Sequence, residues 1–422
     1  MWMHYQLMPD GVLIVGGGAA GLVAAVRCAD ALAGGTGPVS ILEATRDAGR
    51  KILVSGGARC NILPMADAPE RFVSESPNRL VRRFLDRWPL AEQRAFFEEL
   101  LGAPLHEEPE TKKLFPPTQR SRDVRDALRA RALNAGVTIR YGAVLRDLAR
   151  RDEGGFVLTL ADGEELPARA VLLATGGRSV LAGGADARGL EVAAALGHSI
   201  RTPYPALAPL SAEGAPHAAL SGLSLRAELE SRRPGESAVS EGGFLFTHRG
   251  YSGPSVLDVA HVVERARIAG DGAQVFARFG VASGYPPVDW DEELRSGSGS
   301  VLGMLRRRLP ERLAELLLAS AGLADQPISR LTRESRRAIV EMLTRFPLPV
   351  TGTEGYRTAE VMGGGVALEE VDPGSGASRL VPGLFLAGEI LDAFGPIGGF
   401  NFQWAWATGW SAGNGLARSD AG

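Results

Sequence analysis

The chain has 422 residues, of which 45% are hydrophobic and 23% are charged, and its formal net charge is −3 at pH 7. This length exceeds what one simple hydrophobic core supports, so we expect two or three domains in a globular protein of ordinary composition. The charge balance has no basic excess, which argues against a nucleic-acid partner, and two cysteines exclude a disulfide framework.

The N-terminal region has no feature of a targeting or membrane segment. The first residues, MWMHYQLMPDG, lack the cationic segment and apolar core of a secretory signal. The most apolar stretch, 11–33, contains Arg27 and Asp30, and charges at bilayer depth are costly. Cys28 and Cys60 form no CxxC motif, which fits a reducing compartment. We therefore expect a soluble, cytoplasmic protein without a membrane partner.

The first elements predict a strand–helix–strand unit with a nucleotide-binding turn. GVLIV at 11–15 predicts a buried strand, AAGLVAAVRCADALA predicts a helix, and VSILEA at 39–44 predicts a second strand. The turn between strand and helix carries GxGxxG, whose glycines allow a tight turn, a close pyrophosphate and close helix packing. A carboxylate at the end of the second strand can accept hydrogen bonds from ribose hydroxyls. The predicted contacts are Gly16, Gly18, Ala19, Ala20, Gly21, Glu43 and Ala44.

The chain then alternates between helical and extended patterns. A Gly-rich loop at 45–62 precedes two amphipathic helices, a hairpin in LHEEPETKKLFPP, and a helix with Ser121 as N-cap and Gly136 as its stop. Strand patterns fill 137–174 and end on ATGG, with Val144 in the second of them, AVLRDLARR. Short strands follow residue 190, a helical section follows near 300, and the chain ends on FNFQWAWATGWSAGNGLARS.

These patterns predict an α/β protein with a discontinuous first domain. We place a Rossmann-like dinucleotide-binding domain at 1–190 and 355–422. An inserted substrate domain occupies 191–354, with a β-rich part and a helical part at about 290–345.

Three segments favour FAD over NAD as the bound dinucleotide. LLATGG places Thr175, Gly176 and Gly177 where backbone passes close to a dinucleotide. GLFLAGEILD supplies a carboxylate for the ribityl chain, and GPIGGFN opens a helix whose N-terminus would stabilise an anionic reduced flavin. The residues concerned in these two segments are Gly388, Glu389, Asp392, Gly398, Gly399, Phe400 and Asn401. A second dinucleotide fingerprint is missing from the sequence, so NADH or NADPH would visit only transiently.

Five segments resemble, in order, a bacterial family of FAD-dependent oxidoreductases similar to aminoacetone oxidase and the bile-acid-dehydroxylation flavoprotein BaiN. They are GGGAAG, KILVSGGARCN, LFTHRGYSGP, AEVMGGGV and AGEILDAFGPIGGFNFQWAWATGWSAG. The resemblance implies a glutathione-reductase-type FAD-binding domain with an inserted β-barrel-like domain and a helical subdomain. Ala58 stands where the family usually has glycine. The resemblance also implies flavin contacts at Lys51, Ser55, Gly56, Gly57, Arg59, Cys60, Asn61 and Val144.

Three side chains in the five segments have competing interpretations. Arg59 balances charge on the pyrophosphate or the flavin, or it is a surface arginine. Cys60 has no partner cysteine in sequence, which favours packing over redox chemistry. His248, in THRGYSGP, is the candidate catalytic proton donor, although the segment fits a structural role better, with Ser252 capping a helix and Pro254 in its first turn.

The sequence therefore predicts an FAD-dependent oxidoreductase that acts on a small-molecule substrate and has no metal site. NAD(P)H or an organic substrate would reduce the flavin, and an organic acceptor or oxygen would reoxidise it. The alternatives are a redox sensor, an RNA-linked flavoprotein and an NAD-dependent dehydrogenase. RRRLPER at 306–312 is the strongest basic cluster, and its pattern is typical of a solvated helix face. The substrate and the oligomeric state stay open.

Overall fold

The computed structural model describes residues 11–32, 38–178, 187–280 and 288–419. The chain forms two compact units, residues 1–203 with 361–422, and residues 204–360. The sequence pattern placed these boundaries near 190 and 355. Residues 1–10, on which the expectation of no secretory signal rests, lie outside the described residues.

The strands, in chain order, are β1 (Val12–Val15), β2 (Val39–Glu43), β3 (Leu63–Pro64), β4 (His106–Glu108), β5 (Lys113–Phe115), β6 (Thr138–Tyr141), β7 (Leu145–Arg150), β8 (Phe156–Leu160), β9 (Glu165–Ala168), β10 (Ala170–Leu173), β11 (Ile200–Ala206), β12 (Leu210–Ser211), β13 (Ser224–Arg233), β14 (Glu236–Phe246), β15 (Gly250–Ser252), β16 (Gln274–Phe279), β17 (Phe346–Leu348), β18 (Gly352–Thr353), β19 (Val361–Val366) and β20 (Leu384–Leu386).

The α-helices are α1 (Ala19–Ala31), α2 (Arg50–Val54), α3 (Asn78–Leu85), α4 (Leu90–Leu101), α5 (Ser121–Asn134), α6 (Arg188–Ala195), α7 (Pro254–Ala269), α8 (Trp290–Ser296), α9 (Val301–Leu305), α10 (Glu311–Ser320), α11 (Arg333–Thr344) and α12 (Phe400–Arg418).

The first unit is built on a parallel sheet with the order β20-β10-β1-β2-β6. Each neighbouring pair runs parallel, and Val12 lies opposite both Ala170 and Val39. Strands β1 and β10 are buried along their whole length. This burial on both faces of the sheet explains why their sequences are continuous apolar runs. The predicted strand–helix–strand unit is confirmed as β1, α1 and β2.

Helices α1 and α12 pack backbone against backbone. A Cβ at Gly409 would lie 2.4 Å from the carbonyl oxygen of Ala20, and one at Gly413 would lie 2.7 Å from that of Ala24. These distances are too short for any side chain, so the glycines set the spacing between the two helices. The first and last helices of the unit therefore meet just behind the turn that follows β1.

The second unit combines an antiparallel sheet with helices. Its seven strands have the order β17-β16-β13-β14-β15-β12-β18, and α7 packs against β13 and β14. Phe244, Phe246 and Phe279 point from the sheet into its core, which also takes in apolar residues of α8 to α11.

Two predicted helix caps are wrong. Helix α5 begins at Ser121 itself, whose hydroxyl donates to the carbonyl of Leu53 at 2.9 Å. Helix α7 has Gly253 as its N-cap, with φ of 99°, and begins at Pro254. In both places the serine pattern predicted the first residue of the helix to within two positions. The serine does not cap the helix in either case: Ser121 makes a tertiary hydrogen bond, and a glycine turn precedes α7. The hairpin in LHEEPETKKLFPP is confirmed as β4 and β5.

Candidate functional site

The turn between β1 and α1 contains glycines of two kinds. A Cβ at Gly16 would lie 2.3 Å from the carbonyl oxygen of Ala174, and one at Gly21 would lie 1.9 Å from that of Gly16, so the packing of the protein requires both glycines. Gly18 differs, because its φ of −78° suits any residue and a Cβ there would have no atom within 4 Å. No side chain among the described residues caps α1, and its first turn has no acidic residue. The open helix N-terminus suits an anion.

Glu43 is fixed at the end of β2 by three hydrogen bonds. The backbone N–H of Gly17 donates to Oε2 at 2.9 Å, and the N–H and hydroxyl of Thr45 donate to Oε1 at 2.8 and 2.7 Å. A carboxylate oxygen can accept two hydrogen bonds, so Oε2, which accepts one, can also accept one from a ligand hydroxyl. The N–H of Ala143 donates to the carbonyl of Glu43, which brings the predicted residue Val144, 36% exposed, beside this strand end.

The loop after α2 follows a left-handed path. Gly56, Gly57 and Ala58 have φ of 55°, 66° and 67°, and Cys60 has φ of 60°. The left-handed conformation costs about 1–2 kcal/mol for a residue with a Cβ, so Ala58 strains a turn in which glycine would be at ease. With its amide oriented to satisfy both neighbours, Asn61 donates to Leu63 and accepts from the N–H of Gly399 at 2.8 Å. This loop is therefore tied to the start of α12.

Arg59 and Cys60, in the same loop, are both engaged with the protein. Arg59 donates to Glu108 and Gln119, each at 3.2 Å, and its guanidinium lies 4.0 Å from the centre of the Phe115 ring. Cys60 is buried, and burial raises the pKa of its thiol to about 12, although a hydrogen bond with Ser55 acts in the opposite direction. Cys60 is thus a protonated packing residue at neutral pH. A contact of Arg59 with a cofactor stays a prediction.

A second carboxylate, Glu389, joins three segments of the first unit. Its Oε1 accepts from the N–H of Met362 at 2.8 Å, and Lys51 donates to its Oε2. The glycines that follow β10 lie against it, because a Cβ at Gly177 would be 3.0 Å from Oε1. The structure therefore brings together Lys51, Gly176, Gly177, Gly388 and Glu389, which the sequence had placed in three separate motifs.

The start of α12 is an open helix end supported by a rigid loop. Gly398 and Gly399 have φ of 133° and 95°, and a Cβ at Gly399 would lie 2.5 Å from the carbonyl carbon of Leu63. The side chain of Asn401 accepts from the N–H of Gly395 at 2.9 Å and donates to its carbonyl at 2.8 Å. No side chain among the described residues caps this helix, and its first turn has no acidic residue. The positive end of its dipole is thus free to face a negative group.

Asp392 is an internal acceptor in the described structure. It is 1% exposed, and its Oδ2 accepts from the N–H groups of Glu75 and Ser76 at 3.0 Å and from the hydroxyls of Ser74 and Ser76. Burial raises the pKa of this carboxyl, and the four hydrogen bonds lower it in part. Asp392 therefore orders the segment 74–76, and a contact of Asp392 with a ribityl chain stays a prediction.

Two buried side chains near these motifs have unpaired polar atoms: Thr175, which the sequence predicted as a cofactor contact, and Gln403, which the sequence patterns missed. Thr175 follows β10 with a buried hydroxyl that has no hydrogen-bond partner in the described structure, and it packs against Gly189 of α6. Gln403 is buried in α12 and donates to Asp67, while its amide oxygen has no partner among the described residues. The alternating glycine and aromatic pattern around Gln403 was visible in the sequence, but its partner lies 336 positions away.

His248 belongs to the second unit and is exposed in the turn between β14 and β15. A second histidine of this unit, His217, makes a 2.8 Å hydrogen bond through Nδ1 to the hydroxyl of Tyr251, and burial lowers its pKa. Tyr251 is fully buried, and burial raises its pKa. The role of His248 as a proton donor stays a prediction, and nothing in the local sequence pointed to the pairing of His217 with Tyr251.

Two features of the described residues bear on membrane and metal binding. No helix in this part of the chain is long and apolar enough to cross a membrane. No group of three or more His, Cys, Asp or Glu side chains within the same residues is arranged to hold a metal ion.

Comparison with known proteins gives consistent matches over nearly the whole chain. The family model described as HI0933-like protein Rossmann domain matches residues 10–415. "Ribosomal RNA dihydrouridine synthase" of Escherichia coli K12 is 30% identical over 419 residues, which are 94% of this chain and 96% of that protein. "3-dehydro-bile acid delta(4,6)-reductase" of Clostridium scindens is 30% identical over 420 residues, which are 96% of this chain and 98% of that protein.

Solved structures share the fold at low identity. The open conformation of a flavocytochrome c3 fumarate reductase has a TM-score of 0.50 at 16% identity and covers 98% of this chain and 79% of that one. A 3-ketosteroid delta1-dehydrogenase from Sterolibacterium denitrificans has a TM-score of 0.50 at 14% identity, with coverage of 97% and 99%. Both matches support the α/β architecture predicted from the sequence.

Proposed function

The chain belongs to the HI0933-like family of FAD-binding oxidoreductases, and from this premise we propose that it reduces a carbon–carbon double bond conjugated to a carbonyl group. The reactions in the names of two relatives support this proposal. Dihydrouridine differs from uridine by two hydrogens added across the C5–C6 bond, which is conjugated to a ring carbonyl. A 3-dehydro-bile acid with double bonds at positions 4 and 6 is a conjugated ketone. The two names describe different substrates and one type of reaction.

The described residues fit FAD. Gly18 is the observation that supports this best, because neither its backbone angle nor any neighbouring atom requires glycine, whereas a pyrophosphate against the α1 N-terminus does. Glu43 stands where ribose hydroxyls need an acceptor. At the other end of the site, the open N-terminus of α12 suits the pyrimidine side of a flavin.

FAD, when bound, supplies the capacity to accept a hydride from one compound and deliver it to another. The residues of this chain hold and tune it. Lys51 and Glu389 place a balanced pair of charges beside Gly176 and Gly177. The α12 N-terminus favours negative charge on a reduced cofactor, and Asn401 keeps the preceding loop in place.

We propose NADH or NADPH as the electron donor, visiting the site transiently, and a cytoplasmic location. In the net reaction, the donor gives a hydride to one carbon of the double bond and a proton is added to the other. NAD(P)⁺ and the saturated product are released. The substrate is either a small conjugated ketone or a uridine within RNA, as in the two kinds of relative.

Anaerobic spectroscopy with product analysis tests the proposal. The purified protein should show flavin absorbance that is bleached by NADH or NADPH and restored by a 3-keto-4-ene steroid or by uridine-containing RNA. Mass spectrometry should then find two added hydrogens in the acceptor. Recovery of the absorbance only with oxygen would favour an oxidase. Protein that takes up no FAD would refute the assignment of the cofactor site.

A further inference from the structure

Helix α3 carries an unpaired arginine face. Its buried residues are Leu80, Val81, Phe84 and Leu85. Arg79, Arg82 and Arg83 are exposed on the opposite side, three and four positions apart, whereas Arg87, beyond the helix end, lies against Gly374 near the Asp372 carboxylate. In the described part of the chain, no carboxylate lies within ion-pair distance of the guanidinium groups of Arg79, Arg82 and Arg83. Basic residues in a last helical turn complement the helix dipole, but that accounts only for Arg82 and Arg83.

The strongest basic cluster of the sequence, unlike the α3 face, has carboxylates paired with its arginines. In the segment 306–312, Arg306 pairs with Glu311 and with Glu315 at 3.0 Å, and Arg308 pairs with Glu293 at 2.5 Å. Its positive charge is therefore largely balanced on site. The α3 face has one exposed acid within it, Asp86, and keeps a net positive charge in a protein whose total is −3. Such a local excess is what binding to a phosphate backbone requires.

The α3 face is firmly attached to the candidate flavin site of the same unit. Phe84 packs on Trp404 of α12 with ring centroids 5.3 Å apart. Just before the helix, Ser76 donates through its N–H to Asp392, in the turn that also carries Glu389. An extended polyanion held on α3 would therefore be held beside the turn and the helix that the cofactor site uses.

We propose that the α3 face docks the phosphate backbone of single-stranded RNA and so selects RNA as the substrate class. This inference rests on the proposed reductase function and decides between its two substrates. Three guanidinium groups on one helix face suit successive phosphates of a single strand, whereas an uncharged steroid nucleus has nothing for them to bind. Insertion of α3 into a membrane is disfavoured because its apolar side is buried against α12.

Fluorescence anisotropy with a labelled oligouridylate, at stepped salt concentrations, tests this proposal on the FAD-loaded protein. The variant R79Q/R82Q/R83Q is compared with R306Q/R307Q/R308Q, which loses the same charge elsewhere. The α3 variant should bind at least tenfold more weakly, and its slope of log K against log salt should fall by about 2, since each lost contact to a single strand contributes about 0.7. R79K/R82K/R83K should retain most of the affinity, because lysine also binds phosphate.

Equal weakening by the two glutamine variants would overturn the proposal, as would a wild-type protein that binds no oligouridylate or prefers anionic lipid vesicles. Flavin content and bleaching by NAD(P)H are recorded for the same samples. If bleaching persists while RNA binding is absent, the docking surface is refuted and the reductase function stands. If bleaching is also absent, the proposed function itself fails.

Discussion

Lys51 donates a hydrogen bond to Glu389, which lies 338 positions later in the chain. The two side chains are 29% and 18% exposed, so the ion pair is partly removed from water. Glu389 also accepts from the N–H of Met362, and its carboxylate thereby joins the α2 segment, β19 and the turn after β20. Neither partner could be paired with the other from sequence spacing, although both had been predicted as cofactor contacts.

Replacing Glu389 and replacing Lys51 should shift the redox potential of bound FAD in opposite directions. Glu389→Gln keeps an oxygen acceptor for Met362 but leaves Lys51 as an unbalanced positive charge, so the midpoint potential should rise. Lys51→Met leaves an unbalanced carboxylate and should lower it. We expect shifts of tens of millivolts, since about 30 mV corresponds to 1.4 kcal/mol for a two-electron couple. Equal potentials in both variants, measured by dye equilibration, would mean that the pair lies too far from the cofactor to influence it.

Gly18→Ala should separate cofactor binding from folding. Its Cβ meets no protein atom and φ is favourable, so unfolding of the cofactor-free protein in urea should change by less than about 0.5 kcal/mol. FAD affinity should fall tenfold or more, because the methyl group occupies the approach of the pyrophosphate. Isothermal titration with FAD measures this.

Gly409→Ala is the matched control, with its Cβ 2.4 Å from the backbone of Ala20. It should destabilise the cofactor-free protein by about 1–3 kcal/mol, because α1 and α12 must move apart. Unchanged FAD affinity in Gly18→Ala would show that the phosphates lie elsewhere.

The left-handed loop gives a prediction on stability alone. Ala58, at φ of 67°, should be improved by glycine, with a gain of up to about 1 kcal/mol after the entropy cost of glycine is subtracted. Gly57→Ala should cost about 1–2 kcal/mol, although no atom lies within 4 Å of the added Cβ. Urea denaturation of the two variants measures both effects. If Gly57→Ala is neutral, the loop does not hold the left-handed path in solution.

Local patterns in the sequence were sufficient for the parts of the site that are local. The glycine spacing after β1 and the glycine pair before α12 each fix a turn and a helix start, so the two helix N-termini could be predicted from the residues themselves. The hairpin of β4 and β5 follows from its turn residues for the same reason.

These local patterns could not predict side-chain partners that lie far apart in the sequence. Asp392 reads as a ligand carboxylate in sequence, yet it accepts from Ser74 and Ser76, more than 300 positions earlier. The basic run 306–312 looked more cationic than α3 because the sequence does not reveal which arginines have a carboxylate beside them. Side-chain pairing depends on tertiary packing, and the composition of a segment carries no record of it.

Acid should destabilise the second unit through His261. This side chain is buried in α7, and burial lowers its pKa from 6.5 to about 4, although Glu236 and a hydrogen bond to the carbonyl of Asp258 act in the opposite direction. A histidine whose folded pKa is depressed stabilises the fold above its unfolded pKa, and this stability is lost as the pH falls from 6.5 towards 4. The free energy of unfolding should therefore drop by about 2 kcal/mol between pH 7 and pH 5 on account of this residue.

His261→Asn should remove that part of the pH dependence in urea titrations. The exposed His248→Asn serves as the control and should follow the wild-type curve. A His261→Asn curve that runs parallel to the wild type would mean that the imidazole reaches water in the folded state.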